Sequence, residues 1–429
     1  MSRPLVLRPL ALAFALCTTL LARPATAQEG VRIGLTYAAG TRPGVYILPM
    51  RGSSSDSVRA IVARNLDFGD RVSVIVADSG LPLTGTPNYQ LYARVGAAAL
   101  LQFAENVGGG VNVVLHEVGA ARVLQRRTFL VDGPPNSPEW RMSMHAMSDE
   151  IERWITGVPG IAATRILFVR TGTLWTVDAD GANVRQVPGV GNGSFPAWHP
   201  SGRMIAYTQF ADDGSQILVR DLTTGTARRA SFASGANFTP TFSPDGKTLV
   251  FASGLDGTDL WAVEVNGGEG PRRVTVGRGT DNASPSFSPD GRRIAFVSGR
   301  LGRPEIYITD SDGANPEWLT TTGFGDQSYR SDPSWSPDGR NVAFQTQIEG
   351  RFQVATINLR DRSVKQHTIE SINEQPSWSP DARHLVFTSS RTGNRQLWIL
   401  DTESGRLRQL TQGAIARQGT WSARLAVPK

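Results

Sequence analysis

The sequence predicts a multidomain chain of class α/β plus all-β, in which a small N-terminal mixed α/β domain precedes a six-bladed β-propeller. Two observations predict the propeller. A short motif, Phe-Ser-Pro-Asp-Gly-Lys at residues 242–247, recurs with its aromatic residue at positions 198, 242, 287, 335, 378 and 421. These steps of 43 to 48 residues fit one four-stranded blade each. Six strands of the type Leu-Trp-Thr-Val-Asp, the first at residues 174–178, recur in the same rhythm and set the blade count.

Each repeat follows one pattern of turns and strands. A proline stands two residues before the aromatic residue in five of the copies, and Ser-Pro-Asp-Gly follows it in most of them. Asp-Gly after proline favours a tight turn, in which glycine supplies a positive φ. Apolar runs flank that turn, which is typical of a hairpin. Neighbouring blades then bury each other's faces, with aromatic residues as the filler between them.

The two ends of the repeat region predict how the ring closes. The last copy, at residues 421–424, has the aromatic start of a blade and little after it. The first blade, from Arg165 onward, lacks that start. We therefore expect the C-terminal strand to complete the first blade.

The first 27 residues predict a cleaved secretory signal. Arg3 and Arg8 precede an apolar run at residues 10–21, and Ala-Thr-Ala at 25–27 is a cleavage motif. Cleavage between Ala27 and Gln28 leaves a mature chain without cysteine, because Cys17 is the single cysteine. No later apolar run is long enough for a membrane span, so we expect an exported, periplasmic protein.

Residues 28–160 predict the N-terminal domain, which begins with a flexible arm at 28–40. Strands are expected near 44–50, 71–77, 97–103, 111–118 and 123–131, with helices near 54–66 and 89–95. Ser137 and Pro138 predict the start of a longer helix. Its core-facing stripe is Trp140, Met144, Met147, Ile151 and Trp154. The sequence Gly-Val-Pro-Gly at 157–160 ends the helix and marks the expected boundary with the propeller at 161–429.

Charge and motif content argue against several functions. The formal net charge of +6 falls to +3 once the three arginines of the predicted signal are removed, and the basic residues are spread along the chain. This is too mild for a nucleic-acid-binding protein. The five histidines are scattered, no Gly-x-Ser-x-Gly elbow occurs, and the Asp-x-Asp-Gly stretches at 178–181 and 310–313 lack the glutamate of an EF-hand. We expect no catalytic residues, no cofactor and no metal.

The combination resembles a known family. An exported chain, a helix with Ser-Asp-Glu-Ile at 148–151, the junction Thr-Gly-Val-Pro-Gly at 156–160 and the Ser-Pro-Asp-Gly repeats are similar to the TolB family of the Tol–Pal envelope system. The resemblance implies a monomeric interaction protein rather than an enzyme. It would bind a Pal-like outer-membrane lipoprotein at the propeller and a TolA-like inner-membrane protein through the arm, supporting outer-membrane integrity and constriction at cell division.

The resemblance implies two sets of contact residues. The Pal-binding surface is expected in the loops before each proline, where the chain enters the innermost strands. Its residues are Asn192, Ser194, Phe195, Asn237, Phe238, Thr239, Asp281, Asn282, Ala283, Tyr329, Arg330, Ser331, Asp332, Asn373, Glu374 and Gln375. The TolA-binding residues of the arm are Gln28, Glu29, Val31, Arg32, Ile33, Leu35 and Tyr37. The alternative is an exported propeller enzyme or carbohydrate-binding sensor, which would converge His, Arg and acidic side chains on a ligand in the central channel.

Overall fold

The computed structural model describes residues 35, 41–50, 52, 55–76, 85–106, 109–212, 214–232, 234–254, 257–268, 270–277, 280–320 and 329–426. Residues 34–429 form one compact unit. The predicted signal peptide, its cleavage point and every arm residue except Leu35 lie outside the described residues.

The N-terminal part is a five-stranded mixed sheet with three helices. Its strands are β1 (Gly44–Ile47), β2 (Ser73–Val76), β3 (Ala99–Glu105), β4 (Val111–Glu117) and β5 (Arg122–Phe129), in the order β2-β1-β3-β4-β5. Its helices are α1 (Ser55–Phe68), α2 (Tyr89–Arg94) and α3 (Pro138–Thr156). β1 runs parallel to both β2 and β3, whereas β3, β4 and β5 pair antiparallel. The mixed α/β prediction is confirmed.

Helix α3 forms as the sequence predicts. The Ser137 hydroxyl accepts a hydrogen bond from the Trp140 backbone N–H at 3.1 Å, which caps the N-terminus. Gly157 ends the helix with a φ of 81°, a backbone conformation that glycine adopts without strain. The predicted apolar stripe is buried against α1 and the sheet, and Leu35 lies in the same core.

Residues 165–421 form six four-stranded sheets, so the six-bladed propeller is confirmed. Blade one contains β6 (Arg165–Arg170), β7 (Thr173–Asp178) and β8 (Arg185–Gln186). Blade two contains β9 (Gly193–Trp198), β10 (Met204–Ala211), β11 (Gly214–Asp221) and β12 (Ala227–Arg229). Blade three contains β13 (Ala236–Phe242), β14 (Thr248–Gly254), β15 (Asp259–Glu264) and β16 (Arg272–Arg273). Blade four contains β17 (Asn282–Phe287), β18 (Arg293–Ser298), β19 (Glu305–Asp310) and β20 (Glu317–Trp318).

The last two blades follow the same plan. Blade five contains β21 (Arg330–Trp335), β22 (Asn341–Ile348), β23 (Arg351–Asn358) and β24 (Val364–Gln366). Blade six contains β25 (Asn373–Trp378), β26 (His384–Thr392), β27 (Asn394–Asp401) and β28 (Leu407–Gln409). β29 (Ala416–Trp421) then pairs antiparallel with β6 and becomes the innermost strand of blade one, which confirms the predicted closure.

Alternating strand direction gives the propeller two different ends. The Ser-Pro-Asp turns and the turns between third and fourth strands lie at one end, which we call the turn face. The hairpins between second and third strands and the connections from one blade to the next lie at the other end, which we call the open face. Each innermost strand therefore starts at the open face and ends at the turn face.

Candidate partner-binding face

Every innermost strand carries a β-bulge around the residue that precedes its proline. In blade one, Gly419 takes the place of the proline, and the residue before it is Gln418. The pairing register with the neighbouring strand shifts at this point in all six blades. The residues concerned have a positive φ of 48° to 57° and are Phe195, Thr239, Ser284, Asp332, Gln375 and Gln418. A left-handed backbone at a residue other than glycine costs on the order of 1–3 kcal/mol, so its repetition indicates that the ring geometry requires it.

These six residues and the two that follow each of them line the central channel, a cavity of about 190 Å³. Neighbouring blades are tied together here. The Phe195 backbone N–H donates to the Gln418 side-chain oxygen at 2.9 Å, and the Ser284 N–H donates to the Thr239 hydroxyl at 3.0 Å. These bonds fix the channel wall, which is mostly uncharged.

The expectation that the predicted contact residues lie in loops is wrong for most of them. Asn192, Asp281 and Tyr329 precede their strands, but the other thirteen lie within β9, β13, β17, β21 and β25. The physical reason is the bulge, which lets strand pairing resume on both sides of a proline that has no N–H to donate.

Four of the predicted residues are buried and form hydrogen bonds between blades rather than exposed contacts. Each stands three positions before the proline and hydrogen-bonds to a residue near the start of the third strand of the preceding blade. The Asn282 amide donates to Asp259 at 2.9 Å, the Asn373 amide to Gln353 at 2.9 Å, the Arg330 guanidinium to Glu305 at 2.9 Å and the Asn237 amide to the Ser215 carbonyl at 2.8 Å. Because all four side chains are buried, they position the open face without reaching its surface; Ser194 and Ser331 are buried as well.

The remaining predicted residues reach the surface. Asn192, Asp281 and Tyr329 are exposed, and Phe195, Phe238, Thr239, Ala283, Asp332, Glu374 and Gln375 are half-buried. The rings of Phe195 and Phe238 lie 6.4 Å apart across two blades. Tyr329 packs edge-on against Phe352, with ring centroids 5.3 Å apart. Phe195 lines the channel itself, and all four rings belong to the open face; we call these four residues the aromatic border.

Exposed apolar side chains, of which the sequence prediction included only Tyr329, lie on the open face. Eight large hydrophobic residues between positions 165 and 426 are exposed among those described. One, Val184, lies on the turn face, and seven lie on the open face: Phe210, Phe232, Val276, Leu301, Tyr329, Ile369 and Ile415. Single exposed apolar residues are ordinary, but their one-sided distribution distinguishes the open face from the turn face. The signal was available in the sequence as apolar residues in the blade-to-blade connections and, for Phe210 and Leu301, at the hairpins between second and third strands.

Asp332 is the one ionisable side chain among the residues that line the channel. Burial raises the pKa of its carboxyl to about 6, hydrogen bonds from Ser284 and Ser331 oppose the rise, and the nearby Glu374 carboxylate adds to it. A channel enzyme would need several converging acid, base or ligand groups. The lining residues supply a single carboxyl group among prolines, hydroxyls and amides.

The N-terminal part packs on the turn face, against blades one and six. Arg71, just after α1, donates to Asp381 in the Ser-Pro-Asp turn of blade six at 3.2 Å. Arg406 and Arg408 of blade six both donate to Asp70 at 2.8 Å. On blade one, Asp180 accepts from Arg141 of α3 at 2.7 Å. The open face is therefore left uncovered by these contacts.

Two buried histidines lie within this junction. His384 Nδ1 donates to Asp381 at 2.9 Å, and its Nε2 lies 3.5 Å from Asp70. His145 of α3 places Nε2 3.7 Å from Asp178 of blade one. His384 with Asp70 and Asp401, and His145 with Asp178 and Asp180, have the spacing of metal ligands. Arginines already pair with these four carboxylates, so the groups form an ionic lock between the two parts.

Comparison with known proteins agrees with this architecture. The sequence model of the family described as TolB beta propeller domain matches residues 152–425. The chain belongs to the TolB family. Two relatives named Tol-Pal system protein TolB are each 35% identical to it. One, from Alcanivorax borkumensis, aligns over 162 residues and 36% of each chain, and one, from Anaeromyxobacter dehalogenans, over 195 residues and 43% of each.

The chain thus spans less than half the length of these curated relatives. A solved TolB structure, from Acinetobacter baumannii, superposes with a TM-score of 0.75 at 24% identity, covering 89% of this chain and 97% of that one. At this identity the likeness establishes the fold. Within the part of the chain that the structure describes, no helix is both long and apolar enough to cross a bilayer.

Proposed function

We propose that the chain is a periplasmic, non-enzymatic interaction protein of the Tol–Pal system. It binds a Pal-like outer-membrane lipoprotein on the open face of the propeller and a TolA-like inner-membrane protein through the arm at residues 28–40. In this way it supports outer-membrane integrity and envelope constriction in cell division. Membership of the TolB family and the names of its relatives support the assignment.

The observation that carries the proposal is the one-sided placement of exposed apolar side chains. Seven of them stand on the open face, while the N-terminal part occupies the turn face. The aromatic border belongs to the same face, and aromatic anchors typically supply most of the binding energy at protein interfaces. Ile369 and Val276, exposed to 81% and 80%, contribute nothing to the core and are free to contact a partner.

The test uses the mature chain and the soluble domain of its cognate Pal-like protein in titration calorimetry. Ile369→Glu should weaken binding at least tenfold, since it places a charge in an apolar contact. Because the side chain is so exposed, the melting temperature should stay unchanged. Leu91→Glu, at an exposed apolar site on α2, is the matched control and should bind like wild type.

Failure of the wild-type chain to bind the cognate Pal-like protein would refute the proposal. If Leu91→Glu weakens binding of the Pal-like protein as much as Ile369→Glu does, the interface does not lie on the propeller alone. The arm is tested separately, since deletion of residues 28–40 should abolish binding of the TolA-like protein. A deletion that leaves this binding intact would place that site elsewhere.

A further inference from the structure

Asp332 differs from every other residue of the channel wall in carrying a charge. Its two carboxylate oxygens accept hydrogen bonds from the Ser284 hydroxyl at 3.3 Å and the Ser331 hydroxyl at 3.4 Å. Hydrogen bonds from a hydroxyl to a carboxylate are normally near 2.5–2.7 Å. The two serines therefore replace only a small part of the hydration that the carboxylate loses in the channel.

The neighbouring charges do not compensate for this loss. Arg330, two residues earlier, is directed into the blade by Glu305. Glu374 of blade six, the charged group that faces Asp332 from a neighbouring strand, adds repulsion and is itself paired with Arg395 at 2.9 Å. Blades one, three and four face it with the uncharged Gln418, Thr239 and Ser284. In the described part of the chain, no lysine or arginine forms an ion pair with Asp332.

The cavity beside the carboxylate is large enough to admit a side chain. Its volume of about 190 Å³ leaves room for one long side chain of a docking protein. Phe195, which lines the same cavity, offers apolar surface to the methylene stem of such a side chain and an aromatic face to its charge.

We propose that Asp332 receives one basic side chain, a lysine ammonium or an arginine guanidinium, of the protein that docks on the open face. This inference rests on the proposed function and adds the chemistry of its central contact. The aromatic border binds the apolar part of the partner, and the carboxylate selects a partner that presents a positive charge over the channel. A carboxylate without a counter-charge in the free protein gains the most from such a partner.

The first test compares Asp332→Asn with wild type in binding the cognate Pal-like domain by titration calorimetry. We expect at least about 30-fold weaker binding, the factor that corresponds to 2 kcal/mol at 1.4 kcal/mol per tenfold. Wild-type binding should also weaken as pH falls below about 6, and the variant should lack this dependence. Asp212→Asn, at an exposed acid in the hairpin between β10 and β11 on the same face, is the matched control and should change affinity less than about fivefold.

The thermal stability of the variant separates this role from a structural one. Removing an uncompensated, half-buried charge should leave the melting temperature of Asp332→Asn equal to that of wild type or higher. If wild type binds the Pal-like domain and Asp332→Asn binds it equally well, the inference fails while the proposed function stands.

A second test needs no protein partner. Amide resonances of Ser284 and Gln375 are followed during titration with n-butylammonium chloride, and with calcium chloride at equal ionic strength. Saturable shifts with butylammonium in wild type, absent from Asp332→Asn, support the inference. Shifts with calcium alone would show that the channel binds an inorganic cation and would overturn the inference. The absence of shifts with both salts would overturn it as well. If butylammonium binds but the Pal-like domain does not, the proposed function fails and the preference for a basic group stands.

Discussion

The ionic lock between the N-terminal part and the propeller makes stability depend on pH through His384. Burial alone would lower the pKa of this histidine, but its hydrogen bond to the Asp381 carboxylate and the nearby Asp70 carboxylate outweigh that and raise the pKa from 6.5 to about 9. The folded protein then keeps a proton that the unfolded chain releases above pH 6.5. The stabilisation is therefore fully present below pH 6.5 and is lost as pH rises through about 9.

The perturbation is His384→Gln, which keeps a hydrogen-bond donor toward Asp381 and removes the charge. A rise from 6.5 to about 9 corresponds to at most about 3 kcal/mol at 1.36 kcal/mol per tenfold change in proton affinity. Urea unfolding, measured from about pH 6 to pH 9.5 by circular dichroism, gives the free energy of unfolding of both proteins. The difference between them should be largest near pH 6 and shrink toward zero above pH 9.

His367→Gln is the matched control. Burial lowers the pKa of His367 to about 4, so it is neutral in both the folded and the unfolded chain above pH 7. The difference between this variant and wild type should stay constant from about pH 7 to pH 9. Curves for wild type and His384→Gln that run parallel over the same interval would refute the reasoning.

Two further predictions concern the propeller scaffold. The fourth Ser-Pro-Asp copy has Ala382 where the others have glycine, and Ala382 adopts a φ of 55°. Ala382→Gly should therefore raise the free energy of unfolding by about 0.5–1 kcal/mol. Gly339, at the equivalent turn, has a φ of 75°, so Gly339→Ala should lower the free energy of unfolding by a similar amount. An unchanged denaturation midpoint in both variants would contradict this. Trp421 packs between blades one and six and donates to the Thr164 hydroxyl at 2.7 Å, so Trp421→Ala should cost about 3–5 kcal/mol; a melting temperature within a few degrees of wild type would show that closure depends little on this residue.

The propeller was predictable because its information is local and repeated. The proline, the aromatic residue and the Ser-Pro-Asp-Gly turn stand at fixed spacing, so each copy confirms the others. Closure by β29 also followed from the sequence, because the first blade lacked a start and the last copy lacked a continuation. The buried apolar stripe of α3 could also be predicted, because its residues from Trp140 to Trp154 keep helical spacing over four turns.

The candidate site was less predictable because its geometry depends on partners that are distant in sequence. Whether Asn282 faces the surface or the blade interior is decided by Asp259, which lies 23 residues away. The bulge before each proline turns Asp332 toward the channel, a reversal that simple alternation along a strand does not anticipate. The ionic lock was beyond sequence reasoning, since Arg406 and Asp70 are separated by 336 positions.

The position of β29 also has a consequence for the assembly of the channel. Gln418, Gly419 and Thr420 supply one of the six walls of the channel, although five other blades separate β29 in sequence from the remaining strands of its own blade. A chain that is cut before β29 can build the other five blades, but its channel lacks one of the six walls. Any contact that needs all six walls of the channel therefore depends on the pairing of β29 with β6.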